Sequence, residues 1–134
     1  MSEDSDRLVD EFKTVADYLH EETATNGLEH EDCYRSSISR SYYAAFTKTR
    51  FYLRENDQDF RAEEQLDNGS IHSLVITHIR KHSVPAHREL KRLRGMRRKC
   101  DYETPTWGQQ AAYQAITRRQ RVFHSVDALA SNNP

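Results

Sequence analysis

The stretch RSSISRSYYAAFTKTRFYL, residues 35–53, decides the fold. Ile38, Tyr42, Ala45, Phe46, Thr49 and Leu53 follow one another at helical spacing and so share one face of a helix. A second apolar edge through Tyr34, Tyr43 and Phe51 makes that helix apolar on more than one side. Neither Gly nor Pro interrupts it, and the pattern predicts a helix from about Glu29 to Asn56. A helix with two apolar sides needs neighbours on both, which predicts a central place in a bundle.

Working outward, Leu8, Phe12, Val15 and Leu19 form the stripe of a first helix, ended by Asn26-Gly27. Residues 56–70 are polar, contain Asn68-Gly69, and read as a loop. Ser70 is the expected N-cap of a helix carrying Ile71, Leu74, Val75, His78 and Ile79. Pro85 suits the first turn of a new helix, expected from Pro85 to Lys99 with Leu90 and Leu93 as anchors. After the break at Thr104-Pro105, a last helix is expected from Thr106 to Ala130. Its stripe is Ala112, Ala115, Ile116, Val122, Phe123, Val126 and Leu129. The expected fold is therefore all-α: an antiparallel bundle of four to five helices, forming a single domain over residues 1–134.

Composition sets outer bounds. No run approaches the roughly 20 apolar residues of a membrane span, and the N-terminus lacks the pattern of a signal peptide. Cys33 and Cys100 stand alone without a CxxC, so the expectation is a reduced, cytoplasmic protein. The hydrophobic fraction is 36% and the mean hydropathy −0.96. Such a lean chain gains from a second apolar surface, and we expect a homodimer. Net charge is −1, yet residues 1–33 hold 11 acids and 2 bases while residues 68–134 hold 4 acids and 12 bases. That gradient predicts either a nucleic-acid face or complementary packing between the two halves.

Two segments resemble the HEPN family of small helical bundles. RSSISRSYYAAF, residues 35–46, is similar to the family's second helix, where small and aromatic residues meet at the bundle centre. LKRLRGMRRKCDY, residues 90–102, resembles the family's Leu–Leu–Arg…Arg…Asp-Tyr segment before the last helix. The order of helices agrees, so the resemblance covers roughly residues 8–130. It implies an RNA- or nucleotide-directed component of a prokaryotic toxin–antitoxin or defence-type system. Many family members are metal-independent endoribonucleases whose motif is Arg, a polar residue, three to five more residues, then His. Relatives lacking that His bind nucleotides or protein partners, including minimal nucleotidyltransferases and antitoxins.

Carried onto this sequence, the resemblance makes Arg94 and Arg97 phosphate holders, with Asp101 nearest the place of the missing His and Tyr102 beside it. A carboxyl that ionises near pH 4 is a poor acid at neutral pH and repels phosphate, so the motif is degenerate. Ser37 and Arg40 are expected to line a cleft with Arg97. Lys91, Arg92 and Arg98 belong to a run of seven bases and one acid from Arg88 to Lys99, suited to backbone phosphates or simply to solvent. Arg97 lies on the apolar face with Leu90 and Leu93, so an ion pair with Asp101 or an acid of the first helix is the structural alternative. Arg119 also falls on an apolar face, where a structural pair is favoured. The alternative for the whole chain is a non-enzymatic nucleotide-binding or protein-interaction module.

Arg80…His87, Arg118…His124 and Arg119…His124 also fit the family's Arg–His spacing, but 15 Arg and 7 His produce such spacings by chance. His78 and His82, one turn apart, lack a third ligand at metal-binding spacing, and we expect neither metal nor cofactor. The dimer is tested by light scattering coupled to size exclusion at micromolar concentration. The expected mass is about twice that of the 15.8 kDa chain; a clean monomer mass would remove the expectation.

Overall fold

A computed structural model describes residues 3–25, 31–66, 69–102 and 108–132. Among them are six helices and no strand: α1 (Glu3–Thr25), α2 (Glu31–Asn56), α3 (Gln58–Gln65), α4 (Ile71–His82), α5 (Val84–Tyr102) and α6 (Gln109–Asn132). Helix α2 packs against each of the other five, as its two-sided apolar pattern requires. Ile38, Tyr42, Ala45, Phe46, Thr49 and Leu53 are all buried, and Tyr34 joins them from the second edge. From α6, Ala112, Ala115, Val122 and Val126 complete this core, with Leu90 and Leu93 of α5.

Two expectations are corrected. The segment 56–70 is not all loop, because α3 occupies Gln58–Gln65 and brings the helix count to six. Helix α3 has a single buried anchor, Phe60, and eight residues whose apolar side chains are Phe60 and Ala62 carry no periodicity to read. Its start is set by Asp57, whose side chain accepts from the Phe60 N–H at 2.9 Å. Glu64 then ties α3 to α2, accepting from Arg50 Nε at 2.9 Å and Arg54 Nε at 2.8 Å. The second correction is the register of α1. Leu8 and Val15 lie on the surface, and Val9 and Ala16 face the core. Ala16 lets α1 and α2 approach closely enough for the Ser37 hydroxyl to donate to its carbonyl at 2.9 Å.

The connections follow their sequence signals. Ser70 caps α4 by accepting from the Ser73 N–H at 3.4 Å, and Gly69 before it adopts φ +91°, a conformation that favours glycine. Ser83 alone joins α4 to α5. Its N–H donates to Ile79 at the end of one helix, and its hydroxyl accepts from Ala86 N–H at the start of the next.

Asp57 also clamps α4 to the α2–α3 junction. It is only 5% exposed, and its Oδ2 lies 2.9 Å from both Lys81 Nζ and His82 Nε2. Burial alone pushes this carboxyl up, but hydrogen bonds from Lys81, His82 and the Phe60 N–H outweigh it and hold the group well below the usual carboxylate range. A carboxyl with a depressed folded value stabilises the fold above its unfolded value and loses that contribution as pH falls through the folded one. Asp57→Asn keeps a capping acceptor and loses the charge, so urea melts at neutral pH should show a loss of about 2–4 kcal/mol. The gap between variant and wild type should narrow below about pH 4. An unchanged gap at low pH would remove the ion pair from this account.

Candidate nucleic-acid interface

The basic run on α5 is sorted by what each side chain meets. Its acid, Glu89, turns inward towards α6. Glu89 accepts from Arg118 Nη1 at 2.8 Å, has Arg121 Nη1 at 3.7 Å, and is 9% exposed. Removing that carboxylate from the outer surface leaves Arg88, Lys91, Arg92 and Arg98 exposed without it. Two adjoining cavities run between α4 and α5. One, about 570 Å³, is lined by Arg80, Val84, His87, Arg88, Lys91 and Arg92. The other, about 400 Å³, includes Ser73, Thr77, His87, Lys91, Arg94 and Arg98. Among the described residues, no acidic side chain lines either one. His87 and Lys91 belong to both. His87 Nδ1 lies 2.8 Å from the Ile76 carbonyl; a carbonyl only accepts, so Nδ1 carries the proton and neutral His87 keeps a lone pair on Nε2.

Where α4 meets α2, one position before the groove residue Ser73, His72 joins a cluster of rings. The Tyr42 hydroxyl is 2.6 Å from His72 Nδ1. The His72 ring stacks on Phe46 at 4.4 Å and on Tyr42 at 5.6 Å between centroids. Burial, then the charges of Arg94, Arg97 and Arg50, push the His72 imidazole below its ordinary value. Burial pushes the Tyr42 phenol up, against the pull of Arg94 and Arg97. Arg94 donates from Nη1 to the Ser73 hydroxyl at 3.0 Å. The Arg97 guanidinium sits over the Tyr43 ring at 4.7 Å and the Tyr42 ring at 5.8 Å.

The expected site residues thus separate. Lys91, Arg92, Arg94 and Arg98 meet along the α4–α5 groove. Arg97 lies across the aromatic pair of α2. Arg40 lines a different cleft of about 660 Å³, between α1, α2 and the end of α5, with Phe12, Arg35, Ser36, Ser39, Tyr43 and Cys100. Ser37, expected to line a cleft with Arg97, does not line this one: the side chain is fully buried and its hydroxyl donates to the Ala16 carbonyl. The side chains of Asp101 and Tyr102 lie outside the described residues, as does any pairing of Asp101 with Arg97. Arg119 is fully buried and pairs with Asp17 of α1 at 2.9 Å, the structural arrangement that its place on an apolar face suggests.

Sequence reasoning missed His72 and gave His87 no weight. His72 shares a helical face with Val75, Ile76 and Ile79, all buried, and that spacing was the available signal. Nothing local marks His87, whose value lies in the Ile76 carbonyl and the α5 bases beside it. His78 and His82 face Asp57, and His78 Nε2 lies 3.1 Å from Glu63. Among the described residues, no group of three or more His, Cys, Asp or Glu is arranged to hold a metal. Nor is any described helix long and apolar enough to cross a membrane.

The stacking of Arg97 gives a direct expectation. A guanidinium over an aromatic face contributes about 0.5–2 kcal/mol, and the stem adds packing. Arg97→Ala should therefore lower the stability measured in urea by about 1–2 kcal/mol, with part of it recovered in Arg97→Lys. A midpoint identical to wild type would show that the stacking contributes nothing.

No family model and no solved structure matches this chain. Over 109 residues it is 30% identical to the uncharacterized protein MJ0992 of Methanocaldococcus jannaschii. The match covers 71% of this chain and 60% of that relative's length.

Proposed function

We propose that this chain is an RNA-directed helical bundle of the HEPN type that holds backbone phosphates along the α4–α5 groove. The observation that carries the reading is the groove itself: two adjoining cavities lined by Arg80, Arg88, Lys91, Arg92, Arg94 and Arg98, with the acid of the α5 run turned away into a pair with Arg118. Binding of a polyanion to such a surface is driven by counterion release and needs no base contact. The charge gradient supports the same reading. Among the described side chains, the pair joining the acidic front to the basic back is Asp17–Arg119, which leaves the α4–α5 bases to face outward.

Within this reading the protein is a cytoplasmic homodimer, antiparallel in its helices. It serves a toxin–antitoxin or defence-type system, with an antitoxin or nucleotidyltransferase-type protein as a partner. His87 is the group of the groove suited to take a proton from a ribose 2′-hydroxyl, because its Nε2 lone pair stands among the bases that would hold the adjacent phosphate. That makes metal-independent endoribonuclease activity the enzymatic form of the proposal. A non-enzymatic binding module is the second reading. It is favoured by Ser37, whose hydroxyl is spent within the fold, and by Arg97, which lies on tyrosine rings.

The test is binding of labelled RNA across a salt series, followed by incubation in EDTA. Affinity should fall steeply with salt, and Lys91→Ala/Arg92→Ala should weaken binding to all sequences alike and flatten the slope by about two phosphate contacts. Cleavage that persists in EDTA and disappears in His87→Ala supports the enzyme; binding without cleavage supports the module. No binding at low salt would end the RNA reading.

A further inference from the structure

Beside the α4–α5 groove stands a histidine that the backbone-binding reading does not use. His72, on the first turn of α4, is part-exposed, and its ring is fixed from three sides by Tyr42, Tyr43 and Phe46 of α2. Its Nδ1 is engaged at 2.6 Å by the Tyr42 hydroxyl. Tyr42 is fully buried, and among the described residues its hydroxyl has no other hydrogen-bond partner. A buried phenol keeps its proton and donates it where an acceptor is within reach. Nδ1 therefore accepts, and the neutral imidazole carries its proton on Nε2. No described residue accepts a hydrogen bond from Nε2.

The charges that act on His72 are cationic. Arg94 and Arg97 of α5 and Arg50 of α2 all bear on the ring. Arg50 is taken up by Glu64 at 2.9 Å, and Arg97 is drawn over Tyr43 at 4.7 Å. Arg94 is held by the hydroxyl of Ser73, the residue next to His72, at 3.0 Å. A hydroxyl accepting from Arg94 still has its own proton to donate. The Ser73–Arg94 pair thus stands at the position next to His72 on α4, and the Arg94 charge acts on the His72 ring.

We propose that His72 Nε2–H, the Ser73 hydroxyl and Arg94 form a subsite for one phosphate ester group at the α2 end of the α4–α5 groove. As a place on RNA the subsite rests on the reading above; as a phosphate site it does not. Tyr42 is a positioning residue, which sets the tautomer without touching the ligand. Phosphate brings negative charge against the cations that now disfavour a protonated imidazole, so occupancy raises the titration midpoint of His72.

The experiment follows the histidine ring resonances of the full chain by NMR across pH. Inorganic phosphate is compared with sodium chloride at matched ionic strength. Without phosphate, His72 should titrate below an ordinary histidine. With saturating phosphate its midpoint should rise by about one pH unit, a tenfold preference of phosphate for the protonated ring. His124, exposed on α6, should not follow. Arg94→Gln should abolish the shift, and Arg94→Lys should retain part of it. An equal response to sodium chloride, or no response, overturns the subsite, and this wild-type result does not depend on how any variant folds. RNA with and without a 5′-phosphate then identifies the source: a shift with the phosphorylated strand alone assigns a terminal monoester, and an equal shift assigns a backbone diester. RNA that binds while His72 stays still removes the subsite and leaves the groove. A phosphate shift in a protein that binds no RNA keeps the subsite and removes the RNA reading.

Discussion

Helix α2 buries its sequence against five neighbours, and much of what it buries is polar. A polar group removed from water without a partner costs about 1–3 kcal/mol, so the lean core is organised by where those partners lie. Ser37 donates to the Ala16 carbonyl of α1, and Thr49 donates to Ala45 within its own helix. Lys48 reaches Asp127 of α6 at 2.8 Å and lies over the Phe123 ring. Tyr42 finds His72 of α4, and Asp57, just past the end of α2, gathers Lys81 and His82. Helices α1, α4 and α6 are thereby placed by directional contacts in addition to apolar area. Among the described residues one demand goes unmet: Arg119 is completely buried and pairs through Nη1 with Asp17, while its Nε and Nη2 find no hydrogen-bond partner there.

The same demand shapes the surface. Glu89 would dilute the positive charge of α5, but pairing with Arg118 and Arg121 draws it inward. The groove between α4 and α5 is basic because its acid has been used to fasten α6. The clamp at the other end of α4 works alike. Asp57 fixes the C-terminal turn of α4 through Lys81 and His82, while Tyr42 fixes the first turn through His72. The groove wall is thus held at both ends by polar contacts to α2 and the α2–α3 junction, so the basic side chains stand on a braced element. Rigid placement matters for phosphate recognition, since a flexible cationic side chain must lose more freedom to reach its ligand.

What was readable in the sequence follows from local periodicity. The stripe from Ile38 to Leu53, the cap at Ser70, the proline in the first turn of α5 and the alanine-rich face of α6 all specify helices through interactions within a few residues. The all-helical class and the central position of α2 were determined in this way. The short α3 was hidden because its stability comes from Asp57 and Phe60 and not from a stripe. The register of α1 was misread because Leu8 and Val15 satisfy helical spacing as well as Val9 and Ala16 do. Only the close approach to Ser37 selects the line containing the small residue.

The candidate site was legible as composition and not as arrangement. The sequence by itself determined that α5 is crowded with bases and that Arg94 and Arg97 sit among them. The tertiary structure alone decided that Glu89 faces α6, that Arg97 rests on tyrosine rings, that Ser37 is spent within the fold, and that His72 and His87 stand beside the bases. The physical reason is range. Helical periodicity comes from contacts three and four residues apart, whereas a site is made by side chains such as Tyr42, His72 and Arg94, which meet only after separate helices have packed.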